Sequence, residues 1–153
     1  MTPLIDVHTH SIASGHAYST LSEMADAALR KGLKIFGITE HTHALPGACD
    51  SIYFRNLHVV PRKWGEMRLL LGAELNVINS RGDIDLEEEF FPMLDIRIAG
   101  IHKLCWDGGT ADENTEGLVR VIQNPWINII SHPGDGTAAL NFEAIVVAAK
   151  EHR

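Results

Sequence analysis

The 153-residue sequence predicts an α/β fold built on a parallel sheet, and three observations carry that prediction. Short apolar runs of strand length alternate with segments of helical periodicity, the pattern of repeated βαβ units. The runs are almost continuously apolar, as strands covered on both faces must be. Five of them end in residues that bind metals well: His8 and His10, His41, Glu74, His102 and His132.

The first run, Leu4-Ile5-Asp6-Val7-His8-Thr9-His10, is read as a buried strand. Side chains alternate along a strand, so His8 and His10 leave it on one face and can grip one ion. Residues 11–18 read as a polar loop carrying His16. Thr20 with Glu23 offers a capping box, and Leu21, Met24, Ala25, Ala28 and Leu29 follow at helical spacing up to Gly32. The second strand covers 33–39 and runs into Glu40-His41-Thr42-His43. Residues 53–60 read as helical, interrupted by Pro61. The third strand, 68–74, ends at Glu74, and runs at 75–79 and 84–86 flank a hairpin turn, Ser80-Arg81-Gly82-Asp83. Glu87-Glu88-Glu89 opens a short helix, where negative charge suits the N-terminus. The fourth strand, 94–101, precedes His102; a helix over 112–123 stops at Asn124-Pro125; the fifth strand is 126–130. A final helix starts from Asn141 as N-cap and runs towards Arg153.

At 45% hydrophobic the chain can bury one core, so residues 1–153 are read as a single domain. No apolar run approaches spanning length, and Met1-Thr2-Pro3 lacks the character of a signal peptide. No membrane role is expected, and the location is read as cytoplasmic. Cys49 and Cys105 form no Cys-x-x-Cys pair and are read as ordinary thiols. The net charge of -7, with no basic stripe, argues against nucleic acid as a partner.

In parallel α/β folds, ligands bind at the carboxyl ends of the strands, so the five strand ends should converge on one rim. Imidazole and carboxylate without thiolate favour zinc, with manganese or iron as alternatives, over magnesium or calcium. The donors exceed what one tetrahedral ion needs, which implies two or three ions. Such a site turns bound water into hydroxide near neutral pH and neutralises a phosphoryl group in flight. Hydrolysis of a phosphate monoester of a small substrate is the chemistry that best uses it. Among charged side chains, Arg81 is a candidate for contacting phosphate oxygens, whereas Lys103 and His43 are read as solvated.

The motifs Asp6-Val7-His8-Thr9-His10, His16, Ile38-Thr39-Glu40-His41, Gly72-Ala73-Glu74, Ala99-Gly100-Ile101-His102 and Ser131-His132-Pro133-Gly134 together resemble the polymerase and histidinol phosphatase (PHP) superfamily, in its YcdX-like phosphatase branch. The resemblance runs through nearly the whole chain. It implies a distorted (β/α)7 barrel, of which about five strands lie in this sequence, and a trinuclear centre whose bridging hydroxide is the nucleophile. By that resemblance His8 and His10 hold one ion, Glu74 bridges to a second held by His102 and His132, and His16 with His41 hold the third. No catalytic side chain beyond these ligands is implied.

Two departures stand out. Glu40 occupies a position where the family has Asp, and is expected to support the ligands rather than join them. The family's later Asp-x-His motif is not found before Arg153, so the domain is expected to be C-terminally incomplete. It would then be completed by a complementing segment or by pairing with another copy. The alternatives are an inactive metal-binding or interaction module and a PHP-type nuclease or editing domain. An amidohydrolase also begins with His-x-His, but Glu74 and His16 suit the phosphatase pattern better.

Overall fold

The computed structural model describes residues 4–152. Residues 1–3 and Arg153 lie outside them, and with them the expectations placed on the leader region and on the last residue. The backbone is a curled parallel sheet, a half-barrel, in the order β1 (Ile5–Asp6), β2 (Ile35–His41), β4 (Met67–Val77), β5 (Ile96–Ile101), β6 (Ile129–Ile130). A two-residue strand, β3 (Lys63–Trp64), pairs antiparallel with the start of β4.

Strand β4 is the axis of the sheet, with β2 on one side and β5 on the other, and from Gly72 onward every residue in it is buried. Its apolar side chains join one core with Phe36, Ile38, Phe54, Phe91, Leu118 and Val121. Gly72 lets β5 come close: a Cβ there would lie 2.0 Å from the carbonyl oxygen of Ile96. Gly72→Ala must therefore push two central strands apart, and it is expected to cost about 3 kcal/mol or more in chemical denaturation. An unchanged midpoint would contradict the close approach.

The helices form where the sequence supplies caps. Helix α1 (Leu21–Arg30) has the expected capping box, with the Glu23 N–H donating to Thr20 Oγ1 and the Thr20 N–H donating to the Glu23 carboxylate at 2.7 Å. Helix α3 (Ala111–Gln123) has a second such box from Thr110 and Glu113, and α4 (Phe142–Glu151) is capped by Asn141 as anticipated.

Several expectations are corrected. The first strand is not buried: among the described residues β1 pairs only with β2, and Leu4 and Ile5 are 58% and 56% exposed. Residues 53–60 are not one helix; α2 (Ser51–Asn56) gives way to a 3-10 turn at Leu57–Val59. The hairpin around Arg81 does not form as two strands. Leu75–Val77 instead continue β4, and the turn is closed by an isolated Val77–Ile84 bridge, by the Ile78 N–H donating to the Asp83 carbonyl at 2.9 Å and by Asn76 donating to Asp85. β5 and β6 start later than expected, because regular pairing to their neighbours begins only at Ile96 and Ile129. The Glu run does precede a 3-10 helix, Glu88–Met93.

Candidate metal centre

The strand ends meet as their spacing predicted. His41 lies directly opposite Glu74 in the β2–β4 register. His8 and His10 lie beyond β1, where the chain still tracks β2: the Thr39 N–H donates to the Thr9 carbonyl at 2.9 Å, and Thr9 Oγ1 donates to the Gly37 carbonyl at 2.6 Å. His102 follows β5 and His132 follows β6.

Glu74 is the hub. Its Oε2 has His8 Nε2 at 3.0 Å, His10 Nε2 at 3.1 Å and His41 Nε2 at 3.3 Å, and its Oε1 has His132 Nε2 at 3.1 Å and His102 Nε2 at 3.3 Å. The carboxylate is 1% exposed, so its charge has little water to stabilise it. Burial opposes ionisation, but the surrounding imidazoles of His10, His102, His132 and His8 outweigh it and hold the carboxyl well below the usual carboxylate range. Burial likewise pushes the His41 imidazole down to about 3, against the attraction of Glu74, so it offers a lone pair rather than a charge.

Three sets of donor atoms are close enough to share an ion: His10, His16 and His41; His8, Glu74 and His132; His41, Glu74 and His102. The structure thus brings together all seven expected ligands, His16 included although it is exposed. It sets His10 beside His16 and His41, and His8 beside His132, rather than His8 with His10 alone. The buried atoms test whether a cation fits. Glu74 Oε2, His41 Nδ1 and both nitrogens of His102 are buried without a hydrogen bond of proper geometry, although imidazole nitrogens crowd around Glu74. Buried polar atoms are normally paired. Imidazole nitrogens gathered around an anionic oxygen without hydrogen-bond geometry fit a cation lying among them.

Arg81 does not join this constellation; its Nη2 pairs with Asp83 Oδ2 at 2.7 Å on the exposed turn. His43 is exposed, as expected. Cys49 and Cys105 stay protonated, since burial pushes their thiols up to about 12 and about 11.

Supporting residues escaped the sequence reading. Asp135 Oδ2 lies 3.0 Å from His132 Nδ1, on a turn where His132 itself holds a positive φ of 24°. Asp135 and Glu74 both raise the His132 imidazole, Glu74 the more. Buried Asp85 accepts hydrogen bonds from Thr42 Oγ1 (2.5 Å), the Ala44 N–H (2.8 Å), and the N–H (2.8 Å) and Nδ2 (2.7 Å) of Asn76. That network ties the residue after His41 to the residue two beyond Glu74. Asp135, three residues after a ligand, was the one findable by spacing; Asp85 is brought in where the turn after Asn79 folds the chain back on Val77.

Comparison with known proteins gives consistent relatives. The PHP domain family model matches residues 6–151. A probable phosphatase of Clostridium novyi is 45% identical over 151 residues, 99% of this chain and 62% of that protein. Probable phosphatases of Caldicellulosiruptor bescii and Acetivibrio thermocellus are 43% and 42% identical over 149 residues, again 97% of this chain and 62% of each relative. The chain thus spans a little under two thirds of the length of the curated relatives it matches.

Proposed function

We propose that this chain, which belongs to the PHP domain family, carries the metal centre of a phosphatase that hydrolyses monoesters of small phosphorylated molecules. The observation that carries the reading is the single buried carboxylate of Glu74 with five imidazole nitrogens within 3.3 Å. The relatives' description as probable phosphatases supports the reaction class. Two or three ions, zinc by preference and manganese or iron otherwise, would supply Lewis acidity, a hydroxide nucleophile near neutral pH and charge to match a phosphoryl group.

The chain's own residues then have distinct tasks. Glu74 presents one oxygen to His8, His10 and His41 and the other to His102 and His132, so it can serve two ions at once. His16 extends the group around His10 and His41. Asp135 orients His132 through Nδ1, leaving Nε2 to face the centre. The half-barrel keeps these groups in place because, His16 apart, each ligand is borne on, or follows, a strand paired to its neighbour. Arg81 would reach a phosphate only by leaving Asp83. No helix among the described residues is long and apolar enough to cross a membrane, and the proposed setting is the cytoplasm, in keeping with two free thiols.

The test is metal content followed by turnover. The purified chain should hold more than one equivalent of zinc, manganese or iron by elemental analysis. A version extended by a family-like C-terminal segment should hydrolyse an aryl phosphate and stop when a chelator is added. No bound metal after reconstitution would overturn the metal reading, and a loaded, extended protein inert toward phosphate esters would overturn the phosphatase reading.

A further inference from the structure

A second buried carboxylate, Glu40, lies behind the centre and touches none of its imidazoles directly. It is fully buried, and its oxygens accept from the Ser11 N–H (3.0 Å and 3.2 Å), the Ser11 hydroxyl, the Ser14 hydroxyl (2.5 Å) and the Tyr53 hydroxyl (3.4 Å). The loop from Ser11 to Ser14, which forms a 3-10 turn at Ile12–Ser14, is thereby folded over this one side chain.

Ser14 links that carboxylate to the centre. Its Oγ also accepts from the His41 N–H at 2.9 Å and lies 3.1 Å from His10 Nδ1. A hydroxyl has one proton and two lone pairs. A carboxylate offers only lone pairs, so the Ser14 proton must point to Glu40. Both lone pairs of Ser14 Oγ are then left to accept, one from the His41 backbone and one from His10. Hydrogen bonding at Nδ1 therefore requires a proton there, which frees Nε2, 3.1 Å from Glu74 Oε2, to offer its lone pair to an ion.

We propose that Glu40, acting through Ser14, is a positioning residue that locks the His10 tautomer and so readies its Nε2 as a metal ligand. The metal part of this inference rests on the function proposed above; the tautomer part does not. A carboxylate suits the role because, with lone pairs alone, it accepts from the hydroxyls of both Ser11 and Ser14. Glutamine would not substitute: its amide N–H group can donate to Ser14, freeing the serine proton to turn to His10 and favouring the Nε2–H form, which cannot bind an ion.

The test reads the tautomer directly by long-range 1H–15N correlation in the metal-free chain, with the His10 signals assigned by their loss in His10→Gln. Wild type and Glu40→Asp should keep a proton on Nδ1, with or without a second on Nε2 facing Glu74, while Glu40→Gln and Ser14→Ala should lose it and show Nε2–H alone. Zinc affinity, measured against a competing chelator, should fall roughly 10- to 100-fold in the latter two, with a cooperative thermal melt retained. A wild-type His10 with no proton on Nδ1 would overturn the proposal whether or not any variant folds. So would unchanged tautomer and zinc affinity in Glu40→Gln and Ser14→Ala. A wild-type chain that shows the Nδ1–H form lost in both variants, yet binds no zinc, would support the lock while overturning the metal centre.

Discussion

Glu74→Gln is expected to lower metal content from more than one equivalent to less than one, with affinity reduced on the order of 100-fold, at the upper end of what loss of an outer hydrogen bond costs. The substitution is almost isosteric but removes the one negative charge around which five imidazole nitrogens are gathered. It also places an N–H2 donor where one of two oxygens faced lone pairs, so two ions lose an acceptor or a charge together. His8→Ala makes a useful contrast. It takes a single nitrogen from the set that His8 forms with Glu74 and His132 and leaves His41, Glu74 and His102 intact, so it should weaken one ion and spare the other. Elemental analysis with chelator titration separates these outcomes. Should His8→Ala lower metal content while Glu74→Gln did not, Glu74 would not be the bridge.

The other large effect concerns the edges of the sheet. Among the described residues, β1 pairs on one side only and for two residues, and β6 likewise pairs only with β5. Leu4 and Ile5 at one edge are more than half exposed, and near the other Trp126 and Ile129 are 40% and 37% exposed, with Phe142, Val146 and Val147 of α4 about half exposed. Parallel strands are normally buried on both faces and unpaired edges invite association. The 153-residue chain by itself is therefore expected to melt at low temperature or to pair with another copy, and to have weak phosphatase activity. A version carrying a family-like C-terminal segment should melt higher by on the order of 10 °C and turn over an aryl phosphate at least tenfold faster. Light scattering, a thermal melt and an assay with zinc or manganese make the comparison. A monodisperse monomer that melts cooperatively and matches the extended version's activity would show that these edges need no cover.

How much of this was legible in the amino-acid order depends on the range of the interaction. The parallel α/β class, helix α1 with its capping box, and the gathering of His8, His10, His41, Glu74, His102 and His132 could all be read directly. Each rests on local periodicity, and strand ends on one side of a parallel sheet share a rim by construction. The resemblance added His16, which no periodicity marks. Tertiary structure alone decided the rest. β1 shortened to an exposed edge because only β2 lies beside it, which no property of Leu4 or Ile5 announces. Residues 75–77 stayed in β4 because β5 pairs with them, while the chain turning back on Val77 set Asp85 opposite Asn76, where it clamps Thr42 to Asn76. The hydroxyl of Ser14 found Glu40, 26 residues away, through the curl of the sheet. Short polar side chains such as serine show no pattern in sequence, since their partners are set by where the backbone has already brought them.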